Sequence, residues 1–259
     1  MNNPRLHGSS PFDIAVLHGG PGAAGEVFDP AENLCAKHGV LEPFQTKMTV
    51  QGQVAELGAL LGASERSPVV LVGYSWGAML GLIFASRNPS LVRKLVLVSS
   101  GAFEDLYASR IGPTRLGRMT EEQRLSLGFL SRALEEPGTP AKDEIFAQLG
   151  EIISCVDSFD PLPHSETIEY SYDIFKSVWG EAEKMRSNKE FLDLARGIRC
   201  PVVAIHGDYD PHPAAGVEAP LSRAISDFRF VVLEDCGHKP WIERRARGPF
   251  FEILCKEVG

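Results

Sequence analysis

Five short runs of the chain are apolar almost without interruption: 12–17 (FDIAVL), 68–73 (PVVLVG), 94–98 (KLVLV), 201–206 (PVVAIH) and 228–233 (FRFVVL). A strand with one wet face alternates apolar and polar residues. A continuous apolar run is the mark of a strand buried on both faces of a parallel sheet. A weaker run lies at 38–43 (HGVLEP). Helix-like segments separate the runs, at 51–62, 76–88 and 214–226. The stretch 240–257 reads as two short helices, with Pro249 opening the second. Strands that alternate with helices build right-handed β-α-β units. The expected fold is α/β, a mostly parallel central sheet flanked by helices.

The alternation breaks between 101 and 198, where no strand is expected. Charged helical patterns occupy 120–136 (TEEQRLSLGFLSRALEE) and 141–156 (AKDEIFAQLGEIISCV), with proline-rich breaks at 135–140 and 159–163. One crossover between parallel strands needs only a dozen or so residues. The excess predicts a helical cap at 101–198, inserted into a core made of 1–100 and 199–259 and not an independent domain.

Composition narrows the function classes. A net charge of −8 argues against a nucleic-acid partner, which would require a basic footprint. No apolar run approaches the ~20 residues that span a bilayer, and no signal peptide is apparent, so no membrane partner is expected. Cys35, Cys155, Cys200, Cys236 and Cys255 lack metal-type spacing and read as reduced thiols of a cytoplasmic protein. No metal or cofactor is expected, and no sequence feature points to a particular oligomeric state.

Functional groups of open α/β sheets gather beyond the carboxyl ends of the strands. Four runs end there in distinctive loops: HGGPG (18–22), YSWG (74–77), GDYDPHP (207–213) and EDCGHKPW (234–241). G-x-S-x-G at 73–77 is a weak pattern alone in a chain with 25 glycines. Its setting strengthens it, since strand, tight turn and helix surround Ser75, and Gly73 and Gly77 leave room for a sharp reversal. Ser75 is the expected nucleophile. Of seven histidines, His238 follows the last strand in the chain order serine, acid, histidine, and is the expected base. Asp210 is the expected carboxylate partner of His238. Asp208 is expected to brace the turn instead, and Asp235 is a third option. The oxyanion hole is expected from the backbone N–H groups of Trp76 and Gly20, with Gly19 as the alternative to Gly20. His18 is expected to order its loop.

HGGPG, GYSWG, GDYD and GHKPW, in this order on these strand ends, resemble the α/β-hydrolase superfamily. The resemblance covers the chain outside 101–198, and that stretch is similar to the family's cap, or lid. It implies hydrolysis through a Ser-His-Asp triad. Ser75 sets the chain apart from relatives with an aspartate nucleophile, such as haloalkane dehalogenases and epoxide hydrolases. HGGPG with G-x-S-W-G is also similar to prolyl iminopeptidases. The chain departs from them at 41–54, which lacks a DQRG-type segment, and the two strands that often precede the HG loop are expected to be absent or nearly so.

The expected function is a serine hydrolase that cleaves a small carboxylic ester or related acyl bond of a small-molecule substrate through an acyl-serine intermediate. Alternatives are a prolyl iminopeptidase-like aminopeptidase, a carbon–carbon bond hydrolase, and a non-catalytic binding protein of the same fold. Trp76 and Trp241 are expected to wall the pocket. Aromatic residues of the cap, Phe146 and Trp179 among them, are expected to be mostly core, with some at the pocket.

Overall fold

The structure, a computed structural model, describes residues 3–62, 67–165 and 167–259. Residues 1–2, 63–66 and 166, which fall within the expected core and cap, lie outside the described residues. Its strands are β1 (Arg5–His7), β2 (Phe12–Leu17), β3 (Ala23–Ala24), β4 (Gly39–Glu42), β5 (Val69–Tyr74), β6 (Val92–Val98), β7 (Glu169–Tyr170), β8 (Val202–Gly207) and β9 (Phe228–Leu233). Seven of them form one sheet in the order β1-β4-β2-β5-β6-β8-β9. Every pairing in it is parallel except β1 on β4.

The continuous apolar runs have a plain structural cause. Successive side chains of a strand point to opposite faces. Ala15 and Leu17 of β2, Leu71 of β5 and Leu95 and Leu97 of β6 enter the core on one face. Ile14 and Val16, Val70 and Val72, and Val96 and Val98 enter the core on the other. Both faces are covered, so neither set can be polar.

Helices α1 (Phe28–Cys35) and α11 (Arg247–Val258) belong to the second face. Helices α2 (Val50–Gly62), α3 (Trp76–Arg87) and α10 (Ala215–Ala224) belong to the first. All residues of α3 from Trp76 to Ala85 are buried, which explains why its sequence is apolar all round. The 240–257 stretch holds a 3-10 turn (Pro240–Ile242) and then α11. Pro249 sits in the first turn of α11, two residues after its start, where a missing N–H costs nothing.

Between β6 and β8 run α4 (Asp105–Ala108), α5 (Ile111–Arg118), α6 (Glu121–Glu135), α7 (Lys142–Asp157), α8 (Tyr172–Ser187) and α9 (Glu190–Ala195). Thr120 caps α6 in a capping box with Gln123. Leu134, Phe146 and Tyr172 form a small separate apolar cluster here. By contrast Val178, Ala182, Phe191 and Ala195 join the main core beside α3.

Three strands have no counterpart in the sequence reading. β3 and β7 are two residues each and pair with one another, which tacks the loop after β2 to the helical stretch. β1 is three residues and precedes the HG loop. Strands this short carry too few residues to show a period. All five cysteines are free. Among the described residues, no helix is long and apolar enough to cross a membrane.

Candidate active site

Ser75 follows β5 and precedes α3 with φ 49° and ψ −111°, a backbone conformation that L side chains rarely adopt. The reversal is held by its neighbours. A Cβ at Gly77 would meet the carbonyl oxygens of Leu17 and His18 at 2.5 Å, and one at Gly73 would collide with the backbone of Gly77. Only glycine lets these backbones approach so closely.

His238 Nε2 lies 3.1 Å from Ser75 Oγ, and His238 Nδ1 donates to Asp210 Oδ2 at 2.7 Å. The three residues picked out on separate strand ends therefore form one hydrogen-bonded chain. Asp208 and Asp235 lie elsewhere. Asp208 Oδ1 accepts from the Cys236 N–H at 3.1 Å and braces the two loops, while Asp235 pairs with Arg245 at the surface.

Asp210 is buried and accepts more than the sequence suggested. Its Oδ1 takes the backbone N–H and the Nδ1–H of His212, both at 2.9 Å, and His206 Nε2 lies 3.5 Å from Oδ2. Burial by itself would raise the Asp210 pKa. The facing histidines, His238 first, overcome this and hold its carboxyl well below the usual carboxylate range. Burial pulls the other way on His238 and would lower its pKa. The charge and hydrogen bond of Asp210 prevail, and His238 titrates above 6.5. His212 is pushed down to about 4 by burial and by the charge of His238, against the pull of Asp210.

Asp210, His212 and His238 offer three potential metal-ligand atoms within 4.8 Å of one another. Both carboxylate oxygens and both Nδ1 atoms are already engaged in hydrogen bonds within the group. The trio is thus a hydrogen-bonded network in which Asp210 joins the two histidines.

Gly20 and Pro21 lie beside Ser75 on the wall of a cavity of about 720 Å³. Gly19 instead packs against Tyr74 and Glu26. His18 is buried, and its Nε2–H donates to the Phe44 carbonyl at 2.9 Å, so it orders the loop as expected. Gln45 donates to the His18 carbonyl at 3.0 Å, and Gln53 donates to the Gln45 carbonyl at 3.3 Å. The Trp76 indole N–H in turn donates to Gln53 Oε1 at 2.9 Å. This relay joins the HG loop to the residue after Ser75, and no motif announced it.

That relay corrects one expectation. The Trp76 ring is turned into the core and hydrogen-bonded there, so it does not wall the cavity. Trp241 is likewise buried, packed edge-on against Tyr74, and does not line it either. The apolar wall comes from the helical stretch, through Phe146, Leu149, Ile153, Phe175 and Trp179. Tyr170 joins them, whereas Phe103 is core and Phe129 is exposed. Polar lining includes two ion pairs, Lys239–Glu26 at 3.2 Å and the bidentate Arg115–Asp157 pair, with Glu151 and His164 also on the wall.

Two further residues hold the His238 loop. The His238 N–H donates to the Asp157 carbonyl at 2.9 Å. Buried Glu243 accepts from the N–H groups of Gly237, Phe159 and Asp160 at 2.9, 2.8 and 2.8 Å. The helical stretch is in this way tied to the loop that carries His238.

Known proteins share this arrangement of chain. The chain is 22% identical to a proline iminopeptidase of Lactobacillus crispatus (strain ST1), over 89% of this chain and 85% of that one. Its fold is similar to that of a proline iminopeptidase of Mycobacterium smegmatis, at a TM-score of 0.64 and 21% identity over 98% of this chain and 93% of that one. It is also similar to Est816, described as an N-acyl homoserine lactone degrading enzyme, at a TM-score of 0.65 and 18% identity over 98% and 96% of the two chains. The alpha/beta hydrolase family model matches residues 16–248, most of the chain, and the chain belongs to that family.

Proposed function

We propose that the protein is a serine hydrolase that cleaves a small carboxylic ester or related acyl bond through an acyl-Ser75 intermediate. The observation that carries this reading is the continuous hydrogen-bonded chain from Ser75 Oγ through His238 to Asp210. A serine hydroxyl is a poor nucleophile until a base takes its proton. Neutral His238 takes it as Ser75 attacks the acyl carbon, and Asp210 stabilises the imidazolium that forms. The oxyanion is received by the N–H groups of Trp76 and Gly20. His238 then protonates the leaving group, and the same steps with water in place of serine release the acid.

We further infer that residues 101–198 act as the cap. Its aromatic and aliphatic side chains face Ser75 across the cavity and suit an apolar acyl or alcohol group. A fluorophosphonate probe is expected to label the wild-type protein at Ser75. Absence of labelling in well-folded protein would overturn the assignment.

A prolyl iminopeptidase-like aminopeptidase is the second reading, favoured by the similarity to the Lactobacillus enzyme along 89% of the chain. A panel of esters, amides and aminoacyl-naphthylamides separates the two. Turnover confined to prolyl-naphthylamide would establish the second reading and displace the first.

A further inference from the structure

His212 has no part in the reaction just described, yet it is built into it. Its ring stacks on that of His238, with centroids 4.4 Å apart and planes 23° from parallel. Its Nδ1–H and its backbone N–H both donate to Asp210 Oδ1, while His238 donates to Oδ2 of the same carboxylate. The His212 carbonyl is itself pinned by His206 Nε2–H at 2.7 Å. The ring is buried, and its edge lines the cavity with Ser75 and His238.

We propose that His212 is a positioning residue of this reaction: it holds His238 in the orientation and tautomer that face Ser75, and it divides the charge of Asp210 between two imidazoles. The proposal rests on the Ser75–His238–Asp210 reading above. Two donors on Oδ1 draw negative charge away from Oδ2, which weakens the hold of Asp210 on the His238 proton. The stacked ring also blocks rotation of His238 away from Ser75. Burial keeps His212 neutral down to about pH 4, so its ring places no positive charge against His238 above that pH.

The charged and titratable groups that face the pair come from several elements. His206 lies near the end of β8 and Asp210 in the loop beyond it, the Tyr74 ring packs 5.1 Å from that of His238 at the end of β5, and Ser75 follows Tyr74. Asp157 and Arg115 act on His238 from α7 and α5, and the Lys239–Glu26 pair stands on the same cavity wall. Among these, only His212 and His238 donate a ring Nδ1–H to Asp210.

The test compares wild type with His212→Phe, His212→Asn and His212→Ala. Phe keeps a flat ring against His238 and loses the donor. Asn keeps a donor near the position of Nδ1 and loses the ring. In His212→Phe and His212→Ala, Asp210 Oδ1 loses the ring Nδ1–H and keeps the backbone N–H of position 212, so the hold of Asp210 on His238 strengthens, the His238 pKa rises and the acid limb of kcat/KM moves up by about half a pH unit or more. In His212→Asn the limb stays with wild type. In His212→Ala, kcat falls about tenfold while KM changes less than about twofold. If His212→Phe does not fold, the contrast of Ala with Asn decides. A uniform loss of rate with an unmoved limb in Phe and Ala, or no change at all, would overturn the role of His212. Fluorophosphonate labelling of wild type separates the two levels: an unlabelled Ser75 defeats the triad reading, whereas a labelled Ser75 with an unmoved limb defeats only His212.

Discussion

The Trp76 indole donates to Gln53 Oε1 at 2.9 Å in the core, directly beside the strained Ser75 backbone. The residue that follows the serine is thus anchored through its side chain to α2, while its N–H remains at the first position of α3. This anchoring helps a tight turn persist at an unfavourable φ, because packing over-determines the conformation. Four expectations follow from the structure.

Ser75 stores strain in its backbone, at φ 49° and ψ −111°. Ser75→Gly relieves that strain and is expected to raise stability by about 1 kcal/mol while abolishing ester turnover. Thermal unfolding and a p-nitrophenyl acetate assay check both halves. A destabilised variant, or one that still turns over substrate, contradicts the account.

The pH dependence of the rate has a definite sign. In the proposed mechanism His238 acts as a base only when neutral, and Asp210 holds its pKa above the ordinary 6.5. Its activity therefore falls as pH drops through that raised pKa, by about tenfold per pH unit on the acid limb of kcat/KM. Asp210→Asn removes the charge that raises it, so the limb should move to lower pH as the maximal rate collapses. An acid limb centred below 6.5 in wild type would refute the electrostatics described for His238.

Backbone crowding distinguishes two glycines. At Gly77 a methyl group meets the Leu17 and His18 carbonyls at 2.5 Å, and no side chain can move to relieve it. Gly77→Ala is expected to cost about 3 kcal/mol or more, or to prevent soluble expression. Gly58 lies inside α2, where an added methyl group would meet the Phe84 ring at an ordinary 3.7 Å. Gly58→Ala should instead stabilise by about 0.5–1 kcal/mol. Denaturant melts of the two variants should diverge in opposite directions.

Glu243 gathers three backbone N–H groups from two distant segments, 159–160 and 237. Glu243→Ala strands those donors in a buried place and is expected to cost at least about 2 kcal/mol. It should also lower kcat, because Gly237 precedes His238. Hydrogen exchange at Gly237, Phe159 and Asp160 is the direct readout, and unchanged protection there would rule out the tether.

Much of this molecule is legible in its residues taken in order. The runs at 12–17 and 228–233 coincide with β2 and β9, and central β5 is buried at every step because the sheet is covered on both faces there, whereas β9 at the sheet edge keeps Arg229 and Val232 exposed. Ser75, Asp210 and His238 could be picked out because each sits just past such a run, in a loop whose glycines mark a tight reversal. These are local properties, and local spacing records them. Other features depend on which side chains meet after the chain has folded. Trp76 and Trp241 neighbour the site in sequence but point into the core, since ring direction follows from packing and not from adjacency. His212 looked like a loop residue between two prolines until folding laid its ring on His238, 26 positions along. Glu243 meets a backbone N–H 84 residues away, and β1, β3 and β7 are too short to show a period. Partners at such separations are selected by the close-packed interior, where volume and hydrogen bonding must be satisfied together, and no window of sequence contains both halves of that condition.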